Sequence, residues 1–450
     1  MCLASGVARA EIGAYVAIDA RTGDVLAQRD ATKKWYPASL TKMMTAYLTF
    51  KAIRDGRVTL ETPVVQSANS IAEPPSKMGF KVGTALTLDN ALKIVLIKSA
   101  NDMAVALAEA VGGTEDAFIT MMNAQARQLG MTETFFVNPH GLPDARQVTS
   151  ARDMALLAMA LRNDFPEARE YYRHPGIKFG RKSLRSGNRE FLLRVDGANG
   201  LKTGYICDAG YNVAASVTRG GRTIIAVILG AASGLERAAF ARQLFDETFS
   251  KRTSSGKIFQ MTGASGVPPA SGYCKRNKDG EMEDLVAQYL IGQPSEGSIM
   301  AYANVASSDP GALIMPGQKS KSAAKTSADI SIRKADGKVD WGKVMDLTIG
   351  PRKLDYKPIT VSVGLPDGVV VPGTDSPIGS NVPVPNPNPS RTAAVSEVKT
   401  LQVEKTPPPG AMVLSDYLKT TESAPTSAPG SLFQKGKGFS VPLPSDKFTR

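Results

Sequence analysis

Strand-like alternation stands at the two ends of residues 11–250 and helical periodicity fills the chain between them, so any sheet built here must be assembled from both ends of one domain. "AYVAIDARTGDVLAQRD" alternates apolar and polar residues around Arg21-Thr22-Gly23 and predicts a β-hairpin. "YNVAASVTRGGRTIIAVILGA" predicts two further strands around Gly220-Gly221, followed by the amphipathic helix "LERAAFARQLFDETF". Between these lie "TLDNALKIVLIKSANDMAVALAEAVGG", "TEDAFITMMNAQARQLG" and "SARDMALLAMALRND", all with helical spacing. The economical arrangement is an α/β fold: an antiparallel sheet flanked by helices, with an all-helical subdomain inserted.

The pattern changes near residue 250. Of the 29 prolines, 21 lie beyond it, and stretches such as "NVPVPNPNPS", "EKTPPPG" and "ESAPTSAPG" sustain neither helix nor central strand. Residues 251–450 therefore read as a Pro/Ser/Lys-rich region, mostly extended and of low complexity. Small folded pieces are compatible with "MEDLVAQYLIG" and "KPITVSVGLPDG". Residues 11–250 alone are ample for one sizeable core.

Within that core, "WYPASLTKMMT" places Ser39 three residues before Lys42, just after a proline that suits a helix start. Residues so spaced on a helix share a face, with Cβ atoms about 5–6 Å apart. A buried lysine with a depressed pKa can take the proton of a neighbouring serine and make it a nucleophile; a solvated lysine beside a helix-start serine is the alternative. The spacing alone is not selective, since it recurs at Ser254 to Lys257, Ser322 to Lys325 and Ser331 to Lys334 in polar, aperiodic stretches. A second candidate, Ser99-Ala100-Asn101, lies where the long helical stretch can break in two. The same S-x-N pattern occurs at Ser67 to Asn69 and Ser186 to Asn188, where a turn or cap is the ordinary explanation. The third, Lys202-Thr203-Gly204, occurs once. It reads either as a strand start after a turn or as a carboxylate grip, with the glycine admitting a peptide backbone at the strand edge.

In this order and spacing the three motifs resemble those of the penicillin-recognising serine hydrolases. "PASLTKMMTA", "SANDMAVALAE", "TFFVNPHGL" and "DGANGLKTGYICDAGYNVAAS" are similar to the low-molecular-mass D-alanyl-D-alanine carboxypeptidases over roughly residues 11–250. The resemblance implies that Ser39 attacks the carbonyl between the two terminal D-alanines of a peptidoglycan stem peptide while Lys42 takes its proton. It also implies that Ser99 relays a proton to the leaving amine and that Asn101 holds the substrate amide and orients Lys42. Lys202 and Thr203 would then bind the terminal carboxylate, Gly204 would admit the substrate backbone, and the N–H groups of Ser39 and Tyr205 would form the oxyanion hole. Stem peptides are the implied substrates, and β-lactams the covalent inhibitors.

Three rivals remain. A D,D-endopeptidase would use the same machinery on cross-links. A β-lactamase would need a deacylating glutamate in an E-x-x-L-N loop, but Glu133 lies five residues before Asn138 and reads as a surface residue. A non-catalytic wall-binding protein would not need Ser39, Lys42, Ser99 and Lys202 intact.

The net charge of +12 suits an anionic partner, but no run of Lys and Arg interleaved with aromatics appears, which argues against nucleic acid. Two histidines and three cysteines without C-x-x-C spacing argue for chemistry without metal or cofactor. Cys207 and Cys274 can pair in an oxidising compartment, though separate thiols are the expectation. Ala8-Arg9-Ala10 matches a signal peptidase site without the basic and apolar regions that normally precede it, so residues 1–10 are expected to be a truncated secretory signal of a periplasmic or extracytoplasmic protein. No run is long and apolar enough to span a membrane, and the C-terminal end lacks the amphipathic stripe of an anchor helix. Two readings of the basic tail stand: plain disorder, and peripheral contact with the anionic wall or membrane.

Overall fold

The alternation around Arg21-Thr22-Gly23 closes into the hairpin β1 (Ala14–Asp19) and β2 (Val25–Arg29), with Tyr15 opposite Arg29 and Ala17 opposite Ala27. The computed structural model describes residues 12–251, 253–263, 266–275, 282–291, 331–354 and 356–371. A 3-10 turn at Ala38–Thr41 leads into α1 (Lys42–Arg54), which buries Met43, Met44, Leu48 and Phe50. β3 (Pro63–Val65), the single-turn α2 (Ala68–Ile71) and β4 (Ala85–Thr87) follow, with β3 and β4 paired, and α3 (Leu88–Lys93) runs into a π-turn at Ile94–Lys98. Next come α4 (Asn101–Gly112), α5 (Glu115–Gln128), α6 (Ala151–Asp164) and α7 (Arg169–Tyr172). α5 and α6 begin at Thr114 and Ser150, whose side chains accept from Ala117 N and Asp153 N; such caps contribute about 1 kcal/mol each.

The chain then forms β5 (Gly176–Phe179), β6 (Lys182–Arg185) and α8 (Arg189–Arg194) and returns to the main sheet through β7 (Ala198–Ile206), β8 (Gly210–Arg219) and β9 (Arg222–Ala231), ending in α9 (Gly234–Ser250). The five strands run in the order β2-β1-β9-β8-β7, all antiparallel. This is the sheet assembled from both ends that the sequence predicts. Both faces are buried: Val16, Ile18, Ile225 and Val227 face the helical body, while Tyr15, Ala17, Ile224 and Ala226 pack with Phe240 and Leu244 of α9. Two-sided burial explains why "TIIAVILGA" reads as an unbroken apolar run. Strand β7, which carries Lys202 to Gly204, is left as a sheet edge, and the motif lies within the strand rather than at its start.

Packing continues past residue 250. Val25 N bonds Gly256 O, and Ile258 is fully buried. Two pieces that the sequence marked as compatible with folding are folded: α10 (Met282–Tyr289) lies in "MEDLVAQYLIG", and β10 (Ile359–Val361), in "KPITVSVGLPDG", pairs in parallel with β5. Helix α11 (Trp341–Thr348) is held by Arg194, which bonds Asp346 Oδ1 and Gly350 O at 2.5 Å each. These are short elements that cover an existing apolar surface and need little periodicity of their own. The proline-rich runs "NVPVPNPNPS", "EKTPPPG" and "ESAPTSAPG" and the expected signal at residues 1–10 lie outside the described residues.

Cys207 and Cys274, expected as separate thiols, form a disulfide. Sequence spacing could not bring together cysteines 67 residues apart; the return of residues 266–275 to the end of β7 does, and Cys274 N also bonds Cys207 O at 2.8 Å. Replacing Cys274 with serine is expected to lower stability by about 2–4 kcal/mol, because the cross-link no longer restricts the unfolded chain. Thermal melting with and without reductant checks this: the wild type should lose stability on reduction and the variant should not.

Candidate active site

The three motifs converge although 59 to 103 residues separate the bonded pairs. Ser39 sits in the 3-10 turn that precedes α1, and Lys42 is the first residue of that helix, fully buried beneath it. Lys42 Nζ lies 3.1 Å from Ser39 Oγ, 2.7 Å from Asn101 Oδ1 and 2.7 Å from the His140 carbonyl oxygen. The last two are acceptors only. A neutral lysine amine has two N–H bonds and one lone pair; if both N–H groups serve these acceptors, the lone pair is directed at the serine hydroxyl. Burial, followed by the nearby Lys202 charge, holds Lys42 well below the usual lysine range, while Asp102 and Glu73 oppose the shift.

Backbone strain marks the same place. Ala38, next to the nucleophile candidate, has φ +47°, and Ser99 has φ +67°, both in the left-handed region that residues other than glycine rarely adopt. The turn is pinned by Asn212 of β8, fully buried, whose Nδ2 donates to Tyr36 O at 3.0 Å while its Oδ1 accepts from Gly230 N. Gly204 closes the other side. A Cβ built there would stand 3.0 Å from both Ser39 N and Pro37 O. The space its missing side chain leaves is therefore filled by the Ser39 turn, which brings β7 against that residue's backbone.

Ser99 follows the π-turn and precedes α4, a break that the sequence anticipated. Its Oγ accepts from Lys202 Nζ at 2.9 Å, and Lys202 also donates to the Thr203 carbonyl at 2.9 Å. Burial, then the charges of Arg237 and Lys98, push Lys202 down to about 7. Asn101 is engaged at both ends: Oδ1 accepts from Lys42, and Nδ2 donates to Pro74 O at 2.9 Å. Both ends of its amide are thus bonded within the protein, the oxygen to Lys42. Thr203 is half-buried and Tyr205 is 47% exposed, its ring 4.3 Å from that of Tyr211.

Several residues of the site carry no sequence signal that marks them. His140 holds Lys42 through its carbonyl; its Nδ1 accepts from Leu142 N, leaving Nε2 to donate to Glu73 at 3.2 Å. Burial lowers the His140 pKa in spite of Glu73, and the bond from His140 lowers that of Glu73. Gly141, at φ +93°, leaves room for Ala38 O, which a Cβ would meet at 1.9 Å. "NPHGL" was visible as a motif, but a backbone acceptor cannot be recognised from residue type. Arg237, on α9, donates to Gly187 O at 2.7 Å and sits 5.9 Å from the centre of the Tyr211 ring; burial brings it to about 10. Glu133, expected at the surface, has a side chain only 11% exposed, 3.8 Å from Lys34, and its backbone N–H donates to Asp153 Oδ2 at 2.7 Å. Among the described residues no cluster of His, Cys, Asp and Glu could hold a metal ion, and no helix is long and apolar enough to cross a membrane.

Comparison with known proteins places this arrangement. A family model described as D-alanyl-D-alanine carboxypeptidase matches residues 4–233, just over half of the chain. D-alanyl-D-alanine carboxypeptidase DacC of Escherichia coli is 39% identical over 226 residues, covering 48% of this chain and 56% of that protein. DacA of the same species is 34% identical over 247 residues, covering 53% and 61%. The chain thus spans less than two thirds of the length of these curated relatives. Among solved structures, penicillin binding protein 5 from Haemophilus influenzae superposes with a TM-score of 0.51 at 31% identity, over 54% of this chain and 73% of that one.

Proposed function

We propose that this chain, which belongs to the D-alanyl-D-alanine carboxypeptidase family, removes the terminal D-alanine from peptidoglycan stem pentapeptides through an acyl-enzyme on Ser39. The observation that carries this reading is the setting of Lys42: buried, held below its usual range, and bonded to two acceptors that leave its lone pair for Ser39 Oγ. Ser39 Oγ bonds to the carbonyl carbon between the two D-alanines as its proton passes to Lys42. The negative charge that develops on the carbonyl oxygen is met by the backbone N–H groups of Ser39 and Tyr205. The carbon–nitrogen bond then breaks, Ser99 relays a proton to the departing amine, and D-alanine leaves. Water attacks the ester, releasing the shortened peptide and restoring the Ser39 hydroxyl. Lys202 and Thr203 grip the terminal carboxylate, with the buried Arg237 charge behind them. The Cys207–Cys274 disulfide supports an extracytoplasmic location. β-Lactams are proposed to acylate the same serine.

The test is mass spectrometry of purified pentapeptide monomers and cross-linked muropeptides incubated with the enzyme, with and without prior treatment by penicillin. Loss of one alanine from monomers, blocked by penicillin, supports the proposal. Intact monomers beside cleaved cross-links would replace it with an endopeptidase, and rapid turnover of penicillin itself with a β-lactamase.

Lys202 separates binding from stability. Truncating a charge that pairs with a buried carboxylate costs 2–5 kcal/mol, so Lys202→Met is expected to lower kcat/KM for the pentapeptide by about 10²-fold or more. The same variant should melt higher at pH 7, on the order of 5 °C, since it removes a buried cation. The folded pKa, about 7, lies below that of the unfolded chain, so the unfolded state binds more protons between the two values. Wild-type stability therefore rises with pH across that window, and the advantage of the variant shrinks as pH climbs. Melting at pH 7 and pH 9.5 beside peptide kinetics reads both effects.

A further inference from the structure

The two acceptors that hold Lys42 are both secured by one segment, residues 73–79, which follows α2 and lies along the start of α4. Asn101 N donates to Ser76 O at 2.7 Å and Asn101 Nδ2 to Pro74 O at 2.9 Å. The next residue, Asp102, is fully buried and accepts from Met78 N at 3.1 Å and Gly79 N at 2.8 Å. The segment thus fixes Asn101, whose Oδ1 takes one N–H of Lys42. Its first residue reaches the other acceptor: Glu73 Oε2 lies 3.2 Å from Nε2 of His140, whose carbonyl oxygen takes the second N–H.

This contact has a fixed direction. His140 Nδ1 accepts from Leu142 N, and burial favours the neutral ring, so Nε2 carries the proton and donates to Glu73. The two side chains are 5% and 18% exposed, and water competes little for either. From the α1 side, Thr45 Oγ1 donates to Pro139 O at 2.6 Å beside the bond from Lys42 to His140 O. The His140 ring is therefore tied at one nitrogen to the backbone of its own turn and at the other to the segment that fixes Asn101.

We propose that Glu73 is a positioning residue for acylation: through the His140 ring it holds the turn that presents a carbonyl acceptor to Lys42, so that both N–H groups stay engaged and the lone pair stays on Ser39. The proposal rests on the acyl-enzyme reading above, with Lys42 as the base. It also gives Glu73 an electrostatic signature. Lys202 on β7 and Lys98 in the π-turn favour the neutral amine of Lys42, whereas Asp102 on α4 and Glu73 favour the ammonium. Glu73 itself faces His140, Lys42 and Lys77, and His140 faces Glu73, Lys42 and Glu115 at the start of α5. Removing the Glu73 charge therefore favours the neutral amine. The rise of the acylation rate with pH, as Lys42 loses its proton, then moves to lower pH, opposite to the effect of removing Lys202.

Rates of penicillin labelling across pH, for wild type, Glu73→Gln, Glu73→Ala, His140→Ala and the double alanine variant, test this. Glu73→Gln keeps an oxygen that can accept from Nε2 and removes the charge. Its plateau rate should stay within about threefold of wild type while the acidic limb moves to lower pH, a displacement that a merely structural role would not produce. Glu73→Ala removes the bond as well, and its plateau should fall about tenfold or more, the scale of a small misplacement of a reacting group. Combined with His140→Ala it should lower the plateau no further, because the two side chains act as one unit. Should alanine unfold the protein, the limb of Glu73→Gln decides alone. A limb that Glu73→Gln leaves in place, a glutamine plateau as low as that of alanine, or losses that multiply in the double variant would each overturn the proposal, while labelling of the wild type keeps Ser39 as the nucleophile. A wild type that takes no penicillin label would overturn the acyl-enzyme reading, and the proposal with it.

Discussion

Replacing Ser39 with alanine is expected to abolish covalent labelling by penicillin and to lower pentapeptide hydrolysis by about 10⁴–10⁶-fold, the range seen when a serine nucleophile is removed from an assembled catalytic site. The loss should fall on kcat, because Lys202, Thr203 and the backbone donors proposed to hold the substrate stay in place. Folding should hardly change. Ser39 is half-buried, and its hydroxyl bonds Lys42, so the deletion opens no large cavity and leaves Lys42 with its bonds to Asn101 and His140. Intact-protein mass spectrometry after exposure to benzylpenicillin, beside a melting curve, decides the matter. A persistent adduct on the folded variant would move the nucleophile elsewhere.

Lys42→Met is the second large effect. With Ser39 present and its proton acceptor gone, acylation by penicillin should slow by about 10³–10⁴-fold, the upper range for a general base. The pH dependence gives the more specific test. Lys42 accepts a proton only when neutral, so the wild-type acylation rate should rise with pH through its depressed pKa and then level, and this acidic limb should vanish in the variant. The charge of Lys202 helps to hold Lys42 down. Removing that charge with Lys202→Met should therefore raise the Lys42 pKa and move the acidic limb to higher pH. A wild-type profile with no limb, or a limb that Lys202→Met leaves in place, would reject Lys42 as the base.

Much of this site was legible because its parts are local. Ser39 and Lys42 are three residues apart, and the proline before them and the apolar spacing after them announce a helix start whatever the rest of the chain does. The break at Ser99 could be read for the same reason, as polar residues interrupting a long helical stretch. Position in the sheet was harder. A strand start after a turn was one of two readings of Lys202, which lies in the middle of β7 because the strand begins at Ala198 in "DGANGLKTGY", where glycine and asparagine conceal the alternation. Residues past 250 were harder still. Helix α11 is one short element whose docking depends on a buried arginine of α8, and its sequence contains nothing that points to that partner.

The sequence by itself determined the element types, the two-ended sheet and the three motifs, since hydrophobic period and turn chemistry act over a few residues. Only the tertiary structure decided which lysine is buried against which acceptor: the 2.7 Å bond from Lys42 to the His140 carbonyl, the Lys202–Ser99 bond across 103 residues, the placement of Arg237, and the Cys207–Cys274 link. Desolvation and Coulomb interactions depend on distance through space. They set the two lysine pKa values, and so the chemistry, only after distant strands and helices have packed.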